Sequence, residues 1–145
     1  MKRLLSIILG ATLLVTAAAC TKSCGTSEPS KRVYFVSPSN NDKVQATFHV
    51  KMAVEGMKIR PAMEDINDTT SGHFHILIDV AEGFTEKGLV VGEDARHIHY
   101  GKGQTETDLT LPPGRHRLTI QFADGAHRSY GKELAQSITV DVGGG

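Results

Sequence analysis

The chain has 145 residues, few aromatic side chains and no tryptophan, and its 16 basic and 16 acidic residues leave no net charge. This length suits one domain with a modest aliphatic core. The balanced charge argues against a nucleic-acid-binding surface, and two cysteines are too few for a disulfide framework.

The first twenty residues have the layout of an export signal. A basic start at residues 1–3 precedes an apolar run over residues 4–15, and small residues then lead to Cys20. The run is shorter than the roughly 20 residues that a membrane-spanning helix needs. Small residues followed at once by cysteine resemble the lipobox of bacterial lipoproteins, in which the cysteine thiol carries diacylglycerol. We expect a signal peptide at residues 1–19 and lipidation of Cys20, with ordinary cleavage after Ala19 as the alternative.

Location and domain extent follow from this layout. The mature chain would hold 14 basic and 16 acidic residues and would be tied to a membrane by its lipid in the cell envelope or periplasm. Residues 20–32 are small and polar, which predicts a flexible tether. The folded domain is predicted over residues 33–142, and residues 143–145 form a glycine tail.

Alternation of apolar and polar residues predicts strands throughout the folded part. They are expected at residues 33–36, 44–54, 73–80, 96–100, 105–111, 115–122 and 136–142, with a short edge strand at residues 57–62. The connections are rich in Gly, Pro, Asn and Asp, and residues 132–136 form at most one helical turn. Seven or eight short, evenly spaced strands predict an all-β fold, an immunoglobulin-like antiparallel β-sandwich.

Four of the seven histidines fall in two His-x-His pairs, each inside a predicted strand. Because side chains alternate across a strand, His73 and His75 share one face, and so do His97 and His99. Alternation places the first pair opposite the core face, toward solvent, a second layer or a site. Imidazole binds zinc, copper, nickel and iron, so the pairs predict a transition metal site if the fold brings them together.

Other candidate ligands lie outside the pairs. His127, in a polar loop, is a further candidate metal ligand. His116 is weaker, because it falls on the apolar side of its strand and is more typical of a buried histidine bonded to backbone. Met57 is also weaker, although a thioether beside imidazoles would favour copper. His49 is expected to be a surface histidine, and the predicted cofactor is copper or zinc.

Catalytic motifs are missing from the sequence. It contains no His-Glu-x-x-His helix motif, no Gly-x-Ser-x-Gly elbow and no Walker loop. Asp124, His127 and Ser129 are the residue types of a catalytic triad, but all three lie in one short loop, which does not favour the geometry that a triad needs. We therefore expect that the protein is not an enzyme.

Long stretches of the chain resemble a known family. Residues 54–57, 72–79, 97–106, 111–116 and 121–131 are similar to the bacterial secreted domain of unknown function family DUF4399. The resemblance covers most of residues 33–142 and implies location and domain extent, with no established activity. It also favours six of the seven histidines as site residues, because they lie inside the matching stretches: His73, His75, His97, His99, His116 and His127.

The family resemblance also sets an expectation for Phe74. This residue stands where the family's His-rich strand is expected to have a third histidine, which implies one ligand fewer. Residues 72–75 are separately similar to strands of copper–zinc superoxide dismutases, which are also β-sandwiches. The disulfide and bridging-histidine loop of those enzymes are not evident, so dismutase activity is not expected.

The sequence thus predicts an envelope lipoprotein whose His-rich face binds copper or zinc for storage, delivery or sensing. Its expected partners are a membrane, through Cys20, and an envelope or metal-delivery protein, with no nucleic acid. The alternative is an interaction module without metal, in which a polar and aromatic patch contacts the cell wall or a protein. That patch would consist of His97, Tyr100, Lys102, Arg128 and Tyr130.

Overall fold

A computed structural model describes residues 30–143 of the chain. The predicted signal peptide, Cys20 and most of the tether lie outside the described residues. Within that range the chain forms nine strands and one 3-10 turn, Lys132–Leu134. The strands are β1 Arg32–Ser37, β2 Asp42–Val44, β3 Thr47–Glu55, β4 Lys58–Ile59, β5 Ser71–Ile78, β6 His97–Tyr100, β7 Glu106–Thr110, β8 Gly114–Ala123 and β9 Ala135–Val142.

Two sheets pack face to face. The smaller sheet has the strand order β1-β3-β7, and the larger has the order β2-β9-β8-β5-β4, with β6 also paired to β5. The pairs are antiparallel except for β2 with β9 and β4 with β5. The predicted all-β, immunoglobulin-like sandwich is confirmed.

One predicted strand is divided in the structure. The segment expected as a single strand at residues 44–54 becomes β2, which pairs with β9, and β3, which pairs with β1 and β7. The chain therefore changes sheets between Val44 and Thr47. Apolar alternation continues through this change, because both sheets turn an apolar face to the same core, so the pattern could not reveal it.

The core lies between the two sheets. Its largest fully buried side chains include Phe74 and Ile76 of β5 and Phe122 of β8. The rings of Phe74 and Phe122 meet edge to face with centroids 5.1 Å apart. Each such side chain contributes about 1.5–3 kcal/mol through burial of apolar surface. This core holds β5 in place between β8 and β6. Strand β6 carries His97 and His99, and β8 leads into the loop that carries His127.

Strand β5 is covered on both faces. All eight of its residues are buried, including His73 and His75. One face contacts the core, and on the other face Leu77 forms a small second cluster with Ala123 of β8 and Val91, with Val80 packed against it. The sequence left open whether His73 and His75 face solvent, a second layer or a site. In the structure they are buried under a second layer of the protein.

None of the described helical segments is long and apolar enough to cross a membrane.

Candidate metal centre

Strand pairing brings three histidine-bearing segments together. In the antiparallel pair of β5 and β6, His75 lies directly opposite His99. On the other side of β5, His73 pairs with Ala123 at the end of β8, and the chain continues from there into the loop that carries His127. Opposite and adjacent positions on one sheet face are close enough for side chains to touch. The histidines at positions 73, 75, 99 and 127 therefore converge on the covered face of β5.

The four imidazole rings form a compact cluster. The Nε2 atoms of His73 and His75 are 3.1 Å apart, and so are the Nε2 atoms of His99 and His127. One ring nitrogen from each of His73, His99 and His127 lies within 4.8 Å of the other two. Two nitrogens bound to one tetrahedral ion at about 2.0–2.1 Å are roughly 3.3–3.4 Å apart. Small movements of the three rings would therefore bring them to coordination distance.

Burial keeps the inner histidines neutral. Both His73 and His75 are 0% exposed. The pKa of His73 is lowered to about 4, mainly by burial and to a smaller extent by the neighbouring His127 ring. The pKa of His75 is lowered to about 2, mainly by burial and to a smaller extent by the His73 ring. Burial also lowers the pKa of His99. Neutral imidazoles retain the lone pair that binds a metal ion, so these rings are ready to coordinate at neutral pH.

The inner pair also has unsatisfied polar atoms. The Nδ1 atoms of His73 and His75 are buried and have no hydrogen-bond partner among the described residues. If the two Nε2 atoms share one proton in a hydrogen bond, the Nδ1 atoms become one unpaired donor and one unpaired acceptor. Buried polar groups in proteins nearly always have partners. The described residues therefore leave both Nδ1 atoms unpaired, whereas the two Nε2 atoms, 3.1 Å apart, are the nitrogens placed to bind one transition metal ion.

A tight loop holds His127 over the cluster. Asp124 Oδ1 accepts hydrogen bonds from the backbone N–H groups of Ala126 (2.8 Å) and Arg128 (2.9 Å), and its Oδ2 accepts one from Arg128 Nε (2.7 Å). His127 has φ 63°, a left-handed conformation, and its carbonyl accepts a bond from the Val91 N–H at 2.9 Å. Asp124 therefore positions His127 through the loop backbone.

Two glycines and a glutamate complete the surroundings. A Cβ at Gly101 would lie 2.2 Å from the His99 ring, so only glycine leaves room for that imidazole. A Cβ at Gly72 would lie 2.1 Å from the Ala123 carbonyl oxygen, so glycine permits the close approach of β5 and β8. Glu93 Oε2 lies 3.8 Å from His99 Nδ1. None of these three roles can be predicted from the sequence alone, because each depends on a neighbour distant in sequence or on a ring orientation.

His97 lies outside the cluster. It shares a strand face with His99 but lies opposite Leu77, two residues farther along β5. This spacing separates the two positions by about 6.5–7 Å. The His97 Nδ1 is 2.9 Å from Asp94 Oδ1. His97, expected as a ligand, therefore forms a local ion pair or hydrogen bond with Asp94.

The weaker candidates have structural contacts instead. His116 Nδ1 is 2.7 Å from Asp79 Oδ2, and its Nε2 is 2.9 Å from the Pro112 carbonyl oxygen. The hydrogen bond to Asp79 raises the pKa of His116. Met57 packs against the hydrophobic core. His49 is exposed and lies 2.9 Å from Asp108, in agreement with the expected surface position.

Phe74 faces the core, on the side of β5 opposite the histidine cluster. A side chain at this position therefore cannot reach the cluster. The inference that phenylalanine here removes a ligand is wrong for this geometry, because alternation places residue 74 on the other face from residues 73 and 75.

Of the two aromatic rings in the alternative polar and aromatic patch, one is buried and the other is partly buried. Tyr100 is only 5% exposed and belongs to the core. Tyr130 stacks against Phe122 with centroids 6.1 Å apart and donates a hydrogen bond to the Ser71 carbonyl oxygen at 2.6 Å. Tyr100 therefore cannot contribute to a surface patch, whereas Tyr130 packs against the core and keeps part of its side chain exposed.

The lowered pKa values should make the metal-free protein less stable in acid. An unfolded histidine titrates near 6.5, whereas His73 in the folded protein titrates near 4. Between these values the unfolded chain binds more protons, so the free energy of unfolding falls as the pH falls below about 6.5. Each such histidine contributes a slope of up to about 1.4 kcal/mol per pH unit. His116, whose pKa is raised, acts in the opposite direction.

This expectation can be checked by urea unfolding of the metal-free protein at pH 7.5, 6.5, 5.5 and 4.5. The free energy of unfolding should decrease across the series. A His75→Leu variant should have a shallower dependence, because it removes one buried histidine with a lowered pKa. A constant free energy of unfolding over this range would contradict the predicted linkage.

Comparison with known proteins identifies a family and some structural similarity. A family model described as a domain of unknown function (DUF4399) matches residues 50–143. No curated protein matches the chain.

Two solved structures are similar to the chain. An endo-beta-1,4-mannanase from Thermotoga petrophila has 13% identity and a TM-score of 0.48, and the match covers 79% of this chain and 20% of the mannanase chain. The fibronectin(III)-like modules of Clostridium thermocellum CbhA are similar with 13% identity and a TM-score of 0.41, over 76% of this chain and 94% of that one. The chain thus spans about a fifth of the mannanase.

Proposed function

The chain belongs to the DUF4399 family, and from its own histidine cluster we propose that it binds a transition metal ion, copper or zinc. The observation that carries the proposal is the convergence of His73, His99 and His127, whose ring nitrogens lie within 4.8 Å of one another. Three imidazoles from separate segments meet here on a covered sheet face. An ion bound there would be stored, delivered or sensed, since the chain carries no motif for a known metal-dependent reaction.

The chemistry of the cluster supports this function. The lowered pKa values of His73 and His99 keep their lone pairs free of protons at neutral pH, so protons compete weakly with a metal ion. The position of the rings also supports reversible binding. His73 is fully buried, whereas the His99 side chain is 19% exposed. An ion would enter and leave past His99 and His127.

The test is a calorimetric titration of the purified protein with Zn(II), Cu(II) and Cu(I). We expect one ion per chain with a dissociation constant below micromolar. Bound ion should also stabilise the fold, by about 4 kcal/mol when the free ion is a thousandfold above the dissociation constant. Micromolar or weaker binding of all three ions, without a change in stability, would refute the proposed function.

We further propose that the domain acts in the cell envelope, anchored by a lipid on Cys20. Support comes from the order of a basic start, an apolar run and small residues before this cysteine. The tether that follows would let the domain reach a metal-delivery partner near the membrane. Fractionation of cells provides the test, because wild-type protein should sediment with membranes and a Cys20→Ser variant should not. Equal membrane association of both proteins would contradict lipid anchoring.

A further inference from the structure

We propose that His75 is the fourth ligand of the site, so that four imidazoles close a tetrahedral coordination sphere around Zn(II). This inference rests on the proposed metal-binding function and goes further by naming the ion, the complete ligand set and the kind of site. A three-imidazole site leaves one position open to water or substrate, as in catalytic zinc centres, whereas a fourth protein ligand closes it. The residue that decides between the two is His75.

The arrangement of the four rings is closer to a tetrahedron than to a square. The ring centroids of His73 lie 4.9 Å from His75, 5.0 Å from His99 and 4.9 Å from His127. The remaining separations are 5.0 Å for His75 to His99, 4.7 Å for His99 to His127 and 6.0 Å for His75 to His127. A tetrahedron has six equal separations, whereas a square has two that are about 1.4 times the others. Here five agree closely and one is moderately longer.

The size of the cluster also fits one ion. With nitrogen about 2.0–2.1 Å from zinc, each ring centroid lies roughly 3.2 Å from the metal. Four such rings arranged tetrahedrally have centroids about 5.2 Å apart. The observed separations of 4.7–6.0 Å bracket this value. Five separations are slightly shorter than this value and the separation of His75 from His127 is longer, so the four rings would bind one ion after small movements that bring His75 and His127 closer together.

His75 has no other evident role. It is 0% exposed and its ring stacks on that of His99; among the described residues its Nε2 has one hydrogen-bond partner, the Nε2 of His73 at 3.1 Å, and its Nδ1 has none. A buried polar atom without a partner costs about 1–3 kcal/mol, so an apolar side chain would be the more stable choice for packing alone. Coordination explains why an imidazole occupies this position.

The geometry of the cluster favours zinc over copper, because imidazole binds both metals. Cu(I) is favoured by thiolate and thioether ligands, and Cu(II) by tetragonal arrangements. The cluster offers four imidazoles in a nearly tetrahedral arrangement. The thioether of Met57, which would favour copper as a ligand, packs against the core. Tetrahedral nitrogen coordination is the usual geometry of zinc. A closed sphere also suits an ion that is held and handed on, because it leaves no position for a substrate.

The experiment uses Co(II) as a spectroscopic substitute for Zn(II), followed by titration with azide. Tetrahedral Co(II) has intense visible absorption bands, whereas six-coordinate Co(II) has weak ones. For the wild-type protein we expect intense bands that azide does not change. For a His75→Ala variant we expect at least tenfold weaker Co(II) binding and bands that shift on addition of azide, because a coordination position has opened. A His97→Ala variant is the matched control and should behave like the wild type.

Each outcome has a defined meaning. Weak six-coordinate bands in the wild type, or an azide response equal to that of His75→Ala, would overturn the closed four-imidazole site while leaving metal binding intact. Absence of any Co(II) and Zn(II) binding would overturn the proposed function as well. The wild-type azide titration decides the question even if His75→Ala does not fold. Competition between Zn(II) and Cu(II), with the Cu(II) geometry measured by electron paramagnetic resonance, tests the metal, and a tetragonal Cu(II) spectrum would contradict the tetrahedral arrangement.

Discussion

Replacing His73 with alanine is expected to weaken Zn(II) binding by more than about a hundredfold. Loss of a residue that only supports a metal ligand costs about 10–100-fold in affinity, and loss of the ligand itself should cost more. His73 is 0% exposed, and its ring centroid lies within 5.0 Å of the centroids of the other three rings. Its removal takes away one ligand and the hydrogen bond between the Nε2 atoms of His73 and His75. Calorimetric titration of the variant measures the loss.

His97→Ala is the matched control for this prediction. His97 belongs to the second His-x-His pair, but its Nδ1 is paired with Asp94 at 2.9 Å. Its removal should change Zn(II) affinity less than about threefold, which corresponds to less than 1 kcal/mol. Equal losses in the two variants would show that the histidine cluster of the structure is not the binding site. Circular dichroism of both variants confirms that the comparison is made between folded proteins.

A second large effect is expected for stability. Replacing Phe74 with alanine should lower the free energy of unfolding by about 3–5 kcal/mol, because it leaves a cavity in a close-packed core. Phe74 is 0% exposed and meets Phe122 edge to face. Urea unfolding of the metal-free protein measures this loss. It is a large part of the 5–15 kcal/mol that typically stabilises a domain.

The control for Phe74 is another phenylalanine. Phe35, in β1, is only partly buried and packs at the margin of the same core. We expect Phe35→Ala to cost clearly less than Phe74→Ala. A Phe74→Leu variant keeps much of the apolar volume and provides a measurable stability if the alanine variant unfolds. A loss below 1 kcal/mol for Phe74→Ala would contradict the position assigned to this ring.

Much of the fold could be predicted from local patterns. The expected strand at residues 115–122 lies within β8, Gly114–Ala123, and the expected strand at residues 136–142 corresponds to β9, Ala135–Val142. Period-two alternation is a direct consequence of strand geometry, so it survives in a single sequence. The division of residues 44–54 between two sheets was missed, because pairing partners are set by contacts between distant segments. The family was likewise recognised from continuous motifs.

The candidate site could be predicted only in part. Residue type and alternation alone identified the histidines and placed His73 and His75 opposite the core, because both follow from composition and strand geometry. Strand order then distinguished His99 from His97, since register placed one opposite His75 and the other opposite Leu77. The loop held by Asp124 brought His127 to the cluster, and tertiary packing buried His73 and His75 completely. These last features depend on the packing of segments distant in sequence, which alternation within a single strand does not encode.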